Sequence, residues 1–203
     1  ALTELYAYAG PQAAIDFDAA ALSDPHLAMA FWGKALADGS DLNDPLTEEG
    51  FARARDDAAK ARALERYASP DERALIDAVA KRYAGTYENR KADETAYEAA
   101  MESYLATHPD DDDATMLLVE ALLEQHDMLW NDDGTPLGDT SAEMLRLTQG
   151  VLARSPQHLM ANHLCIHLYD RARDRTPAIP CAQRLDAMSV SYTHLRAHET
   201  GRN

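Results

Sequence analysis

The sequence predicts an all-α protein assembled from antiparallel helix pairs, on three observations. The 203 residues hold 38 Ala and 24 Leu against four Val and four Ile. Small and straight-chain residues lose little freedom in a helix, whereas β-branched ones lose χ1 freedom. Proline recurs in Asp24-Pro25, Ser69-Pro70, His108-Pro109 and Ser155-Pro156, at separations of 45, 39 and 47 residues. Proline suits a first helical turn and breaks an interior, so each mark separates one helix from the next. Between the marks lie Ala- and Leu-rich segments of ordinary helix length.

The elements follow in order. A partial helix opens the chain, and a second spans 12–22, where Ala13, Phe17 and Ala20 share a face. After Pro25 a helix is predicted over 26–38. The segment Asp38–Pro45, with its Gly, Asn, Asp and Pro, reads as a surface loop before a helix over 48–67. Ser69 and Glu72 flank Pro70 as a capping box, which satisfies two orphan amides reciprocally and opens a helix over 71–85. A helix over 93–107 runs to the His108-Pro109 mark. The carboxylates of Asp110 to Asp113 then stand at the start of a helix over 112–127, where the helix dipole favours negative charge. Trp130–Asp139 reads as a second loop; its Asn131, Asp132, Asp133 and Gly134 miss the EF-hand offsets, so a solvated turn is expected rather than a calcium loop. Thr140 and Glu143 suggest another capping box, opening 141–154, and helices over 157–171 and 178–187 complete the set.

Composition excludes several classes of function. Nineteen Lys and Arg against 35 Asp and Glu leave a formal charge of −16, which repels phosphate backbones and anionic lipid and argues against nucleic acid as a partner. The longest apolar run, Met116 to Val119, is too short to span a bilayer. Two cysteines form no disulfide framework, and Cys165 and Cys181, on adjacent predicted helices, are expected to be free thiols. The compartment stays open between cytoplasm and periplasm. The chain opens at Ala1 without the charged and apolar regions of a signal peptide, and any such segment is expected to be missing from this chain.

Spacing within the repeats resembles that of tetratricopeptide repeats (TPRs). Ala13, Phe17, Ala20 and Pro25 match the second-helix signature, and Ala28, Phe31, Trp32, Gly33 and Ala35 stand where the first-helix set would be. Over longer stretches, the block Asp24-Pro25-His26-Leu27-Ala28-Met29-Ala30-Phe31-Trp32-Gly33 and the block Ala161-Asn162-His163-Leu164-Cys165-Ile166-His167 resemble an uncharacterised tetratricopeptide-like bacterial family. Pro180 to Leu185 is similar to that family's next segment. The resemblance implies a TPR-like α-solenoid of four to five helix pairs over 1–188, truncated at both ends, because a His-rich segment follows in the family. Residues 189–203 instead resemble a translated sequencing-adapter peptide and are expected to be a non-native tail, so His194 and His198 are set aside.

Register from the Pro marks supplies the candidate site. Seven positions on stand Trp32, Asp77, Met116 and His163; eleven on stand Leu36, Lys81, Glu120 and His167. If the marks keep register, these residues share a face of successive first helices, the face that lines the groove of a solenoid. Trp32, Asp77, Lys81, Glu120 and Asn162 are therefore candidate groove residues. His163 and His167, at i and i+4, can ligate one metal, with Glu120 completing a two-His, one-carboxylate zinc or copper site. The same histidines also suit hydrogen bonding within a crowded helix pair, and His-x3-His without a Glu lacks a metalloprotease's base. The sequence thus favours a non-enzymatic scaffold without a cofactor, binding a basic or amphipathic protein or peptide segment; the alternative is a metal-binding or metal-dependent protein.

Overall fold

The computed structural model describes residues 1–39, 42, 45–126 and 128–188. They are helical, with no strand among them and one isolated bridge between Trp130 and Pro136. The chain divides into two compact units, Ala1–Glu124 and Gln125–Asn203.

The first unit holds α1 (Leu2–Tyr6), α2 (Gly10–Ser23), α3 (Ala28–Ala37), α4 (Glu48–Ala63), α5 (Pro70–Arg82), α6 (Arg90–Leu105) and α7 (Asp112–Glu124). Each packs against its neighbours along the chain, and α3 also touches α1 and α5. Small residues permit close approach: the far end of the Phe17 ring of α2 reaches Gly33 of α3, where an added Cβ would collide with the ring. Ala13, Ala30, Ala35, Ala54, Ala58 and Ala78 are buried along the same helices. On α7 every residue from Ala114 to Leu123 is buried, as a helix apolar nearly all round requires.

Local signals explain where these helices start and stop. Thr47 accepts a hydrogen bond from the Gly50 amide and opens α4. Ser69 and Glu72 form the expected capping box at α5, through Ser69 N–H to Glu72 at 2.7 Å and Glu72 N–H to Ser69 Oγ at 3.2 Å. The predicted helix over 48–67 breaks at Ala63 into a 3-10 turn at Glu65–Tyr67, and the one over 71–85 stops at Arg82. Part of the predicted loop Asp38–Pro45, the whole tail 189–203, His194 and His198 lie outside the described residues.

The Pro marks do not keep a common register. Pro25, Pro109 and Pro156 sit in turns three residues ahead of α3, α7 and α9 (Leu159–Tyr169), whereas Pro70 is itself the first residue of α5. Counting from Pro therefore slips by three positions at α5, close to one turn of 3.6 residues but rotated off it. The register mates of Trp32 and Glu120 on α5 are Ala74 and Ala78, not Asp77 and Lys81.

The second unit holds α8 (Gly138–Arg154), α9, a 3-10 turn at Thr176–Ala178 and a helix over 179–188. The capping box expected of Thr140 and Glu143 does not form. The helix begins two residues earlier, at Gly138 with φ +75, after Leu137, so Thr140 lies inside its first turn. Glu143 instead accepts from Arg146 Nε at 2.7 Å. The loop before it closes through Asn131 N–H to the Thr135 carbonyl at 2.9 Å, with Gly134 at φ +87.

The expectation of two free thiols is also corrected: Cys165 and Cys181 form a disulfide across a Cα separation of 6.3 Å. The physical reason is that the spacing of packed helices is measured between axes. Cα atoms on facing sides lie about 4 Å closer than their axes do. The 3-10 turn leads straight into the helix over 179–188, and its first turn meets α9 at Cys165.

Candidate functional site

Two polar constructions stand out, one in each unit. In the first unit a guanidinium is placed in the interior. The inward positions of α5 run Ile76, Val79 and Arg82, and those of α6 run Glu94, Tyr97, Met101 and Tyr104. A charge therefore occupies a core position on each of two neighbouring helices. Arg82 is 2% exposed; its Nε donates to both Glu94 oxygens at 3.0 and 3.1 Å, and its Nη2 donates to Glu124 at 3.1 Å. The guanidinium carbon sits 5.0 Å from the centre of the Tyr97 ring and 6.0 Å from that of Tyr83.

The electrostatics follow from that placement. Burial alone would lower the pKa of Arg82, but the charges of Glu124 and Glu94 and the phenol of Tyr83 outweigh it and hold the guanidinium protonated. Burial pushes both the Tyr83 and Tyr97 phenols above their ordinary range; nearby Glu94 and Glu120 add to that push, and Arg82 opposes it. Neither phenol oxygen has a hydrogen-bond partner among the described residues. The arrangement can tie α5, α6 and α7 together with directional, charge-assisted bonds.

In the second unit the construction centres on α9. The His158 ring accepts from the Ala161 amide at 3.3 Å and caps the helix. Asn162 is fully buried. Its amide nitrogen donates to the carbonyls of Pro156 at 2.9 Å and His158 at 2.8 Å, while its oxygen accepts from Arg184 Nε at 2.7 Å. His163 and His167 stack with ring centres 5.0 Å apart, and His167 Nδ1 lies 3.6 Å from Asp170.

The predicted site residues divide accordingly. Trp32 is in the core at 5% exposure, and Glu120 is buried on α7 beside Tyr83 and Tyr97. Asp77 is half-exposed, 3.6 Å from Arg62, and Lys81 is exposed. Asn162 is a structural clamp, its polar atoms already engaged. Among the described residues no group of three or more His, Cys, Asp or Glu side chains is placed to hold a metal ion, so the zinc or copper alternative rests on the His163–His167 pair. Arg82, Glu94 and Glu124 escaped the sequence reading, although Arg82 and Glu94 signal themselves as charges at apolar-stripe spacing.

No helix among the described residues is long and apolar enough to cross a membrane. Comparison with protein-family models, with curated proteins and with solved structures finds no match to this chain.

Proposed function

We propose that this chain is a non-enzymatic, TPR-like helical scaffold that binds a basic or amphipathic protein segment in a concave groove. The observation that carries the reading is the packing of α3 against both α1 and α5, while each helix of the unit also packs on its chain neighbours. Layered nearest-neighbour packing of this kind builds extended binding surfaces in helical repeats. The charge of −16 supplies the sign of the partner, and Asp77 and Lys81, although off the register of Trp32 and Glu120, are the candidates on α5 that reach solvent.

Selection of displayed random peptides on the full chain at low ionic strength tests the proposal. Enriched peptides should carry Lys or Arg beside apolar residues. Their affinity by calorimetry should fall as salt is raised, and Asp77→Lys should weaken it several-fold. Enrichment no greater than on an unrelated helical protein, or an affinity indifferent to salt, would overturn the reading.

A further inference from the structure

The helix over 179–188 is attached to its unit in an unusual way. Of its residues only Cys181 is buried; Arg184, Leu185 and Met188 are half-buried, and the rest are exposed, Ile179 by 52%. Hydrophobic attachment scales with the apolar area removed from water, and this helix removes little. Two anchors to α9 stand one turn apart: the disulfide from Cys181 to Cys165, and the bond from Arg184 Nε to the oxygen of Asn162 at 2.7 Å. Asn162 is held rigidly from behind by its two bonds to the carbonyls of Pro156 and His158. Its oxygen is therefore the face of α9 that Arg184 covers.

We propose that the helix over 179–188 is a redox-releasable cover on α9, locked over Asn162 by the Cys165–Cys181 disulfide. The two sulfurs belong to residues only 4% and 2% exposed, so exchange proceeds through transient opening of this weakly buried helix. The reductant is a dithiol. Its thiolate attacks one sulfur to give a mixed disulfide and releases the other cysteine as a thiolate. The second thiol of the reductant then closes a cyclic disulfide and releases the second cysteine. Two electrons and two protons pass to Cys165 and Cys181, and the dithiol is oxidised. Without the covalent lock, the helix leaves α9 on the tether 170–178, and the Asn162 oxygen is uncovered while α8 and α9 stay folded. This release is independent of what the groove in the first unit binds.

Hydrogen exchange followed by mass spectrometry tests it on the full chain, oxidised with glutathione disulfide and then treated with dithiothreitol. Thiol titration should show both cysteines blocked before reduction and free after it. Amides of 182–188 should then exchange about tenfold faster or more, with α8 unchanged, and Cys181→Ala should show the fast pattern without reductant. Three results would each overturn the proposal: cysteines that stay free under glutathione disulfide, protection of 182–188 that survives reduction, or equal loss of protection in α8.

Discussion

At the scale of single residues, one tight contact makes a clear prediction. A methyl group on Gly33 would collide with the Phe17 ring, which is itself buried. Gly33→Ala should cost about 1–3 kcal/mol through overpacking. Gly150, inside α8, has nothing nearer than the Arg154 guanidinium at 3.7 Å, so Gly150→Ala should instead stabilise by about 0.5–1 kcal/mol. Urea unfolding of the two variants should move the midpoint in opposite directions; shifts of the same sign would refute the packing argument. Arg82→Ala leaves Glu94 and Glu124 without their buried guanidinium and should cost about 3–5 kcal/mol, against which a loss below about 1 kcal/mol would mean that water reaches the carboxylates. The phenols of Tyr83 and Tyr97 add a pH dependence. Their folded pKa values are raised above the ordinary 10.0 by burial, so the folded state keeps protons that the unfolded chain gives up. Their contribution is complete below that value and is lost as pH rises through the raised ones. The melting temperature should therefore hold up to about pH 10 and drop as the pH is raised beyond it, and the Tyr83→Phe, Tyr97→Phe double variant should flatten that drop.

At the scale of elements, sequence spacing carried most of the information. Helix existence was legible because Ala and Leu dominate and proline punctuates, and nearly every predicted span overlaps a helix of the structure. Capping was legible at Ser69 and misleading at Thr140, because the same four-residue pattern at 140–143 begins within the first turn of a helix already begun at Gly138. The two sites therefore separate by mutation: Ser69→Ala should cost about 1 kcal/mol, whereas Thr140→Ala should change thermal stability by less than about 0.5 kcal/mol. Equal losses would place a working cap at both. Proline as a ruler failed for a related reason. It marks a turn at three sites and the first helical position at the fourth, and sequence alone does not distinguish the two uses. The candidate groove was consequently read across a slipped helix, and the interior Arg82–Glu94 pair was read past because charged residues are seldom fully buried. The disulfide was missed because facing Cα atoms of packed helices approach more closely than the helix axes do.

At the scale of the whole molecule, the two units break after Glu124, ahead of the loop that the cluster of Asn, Asp, Gly and Pro already marked at Trp130–Asp139. The proline marks gave no hint of that break, since their spacing of 39 to 47 residues runs on across it. The chain has two tryptophans, and the division assigns one to each unit. Trp32 is buried on α3 with no hydrogen-bond partner for its indole nitrogen among the described residues. Trp130 is half-buried, donates to the Leu168 carbonyl at 2.8 Å and lies 5.4 Å from the Tyr169 ring. Intrinsic fluorescence is thus a two-channel instrument supplied by the protein itself. A Trp130→Phe chain emits only from the first unit and a Trp32→Phe chain only from the second, so a pair of unlabelled denaturation curves can time the collapse of each half separately.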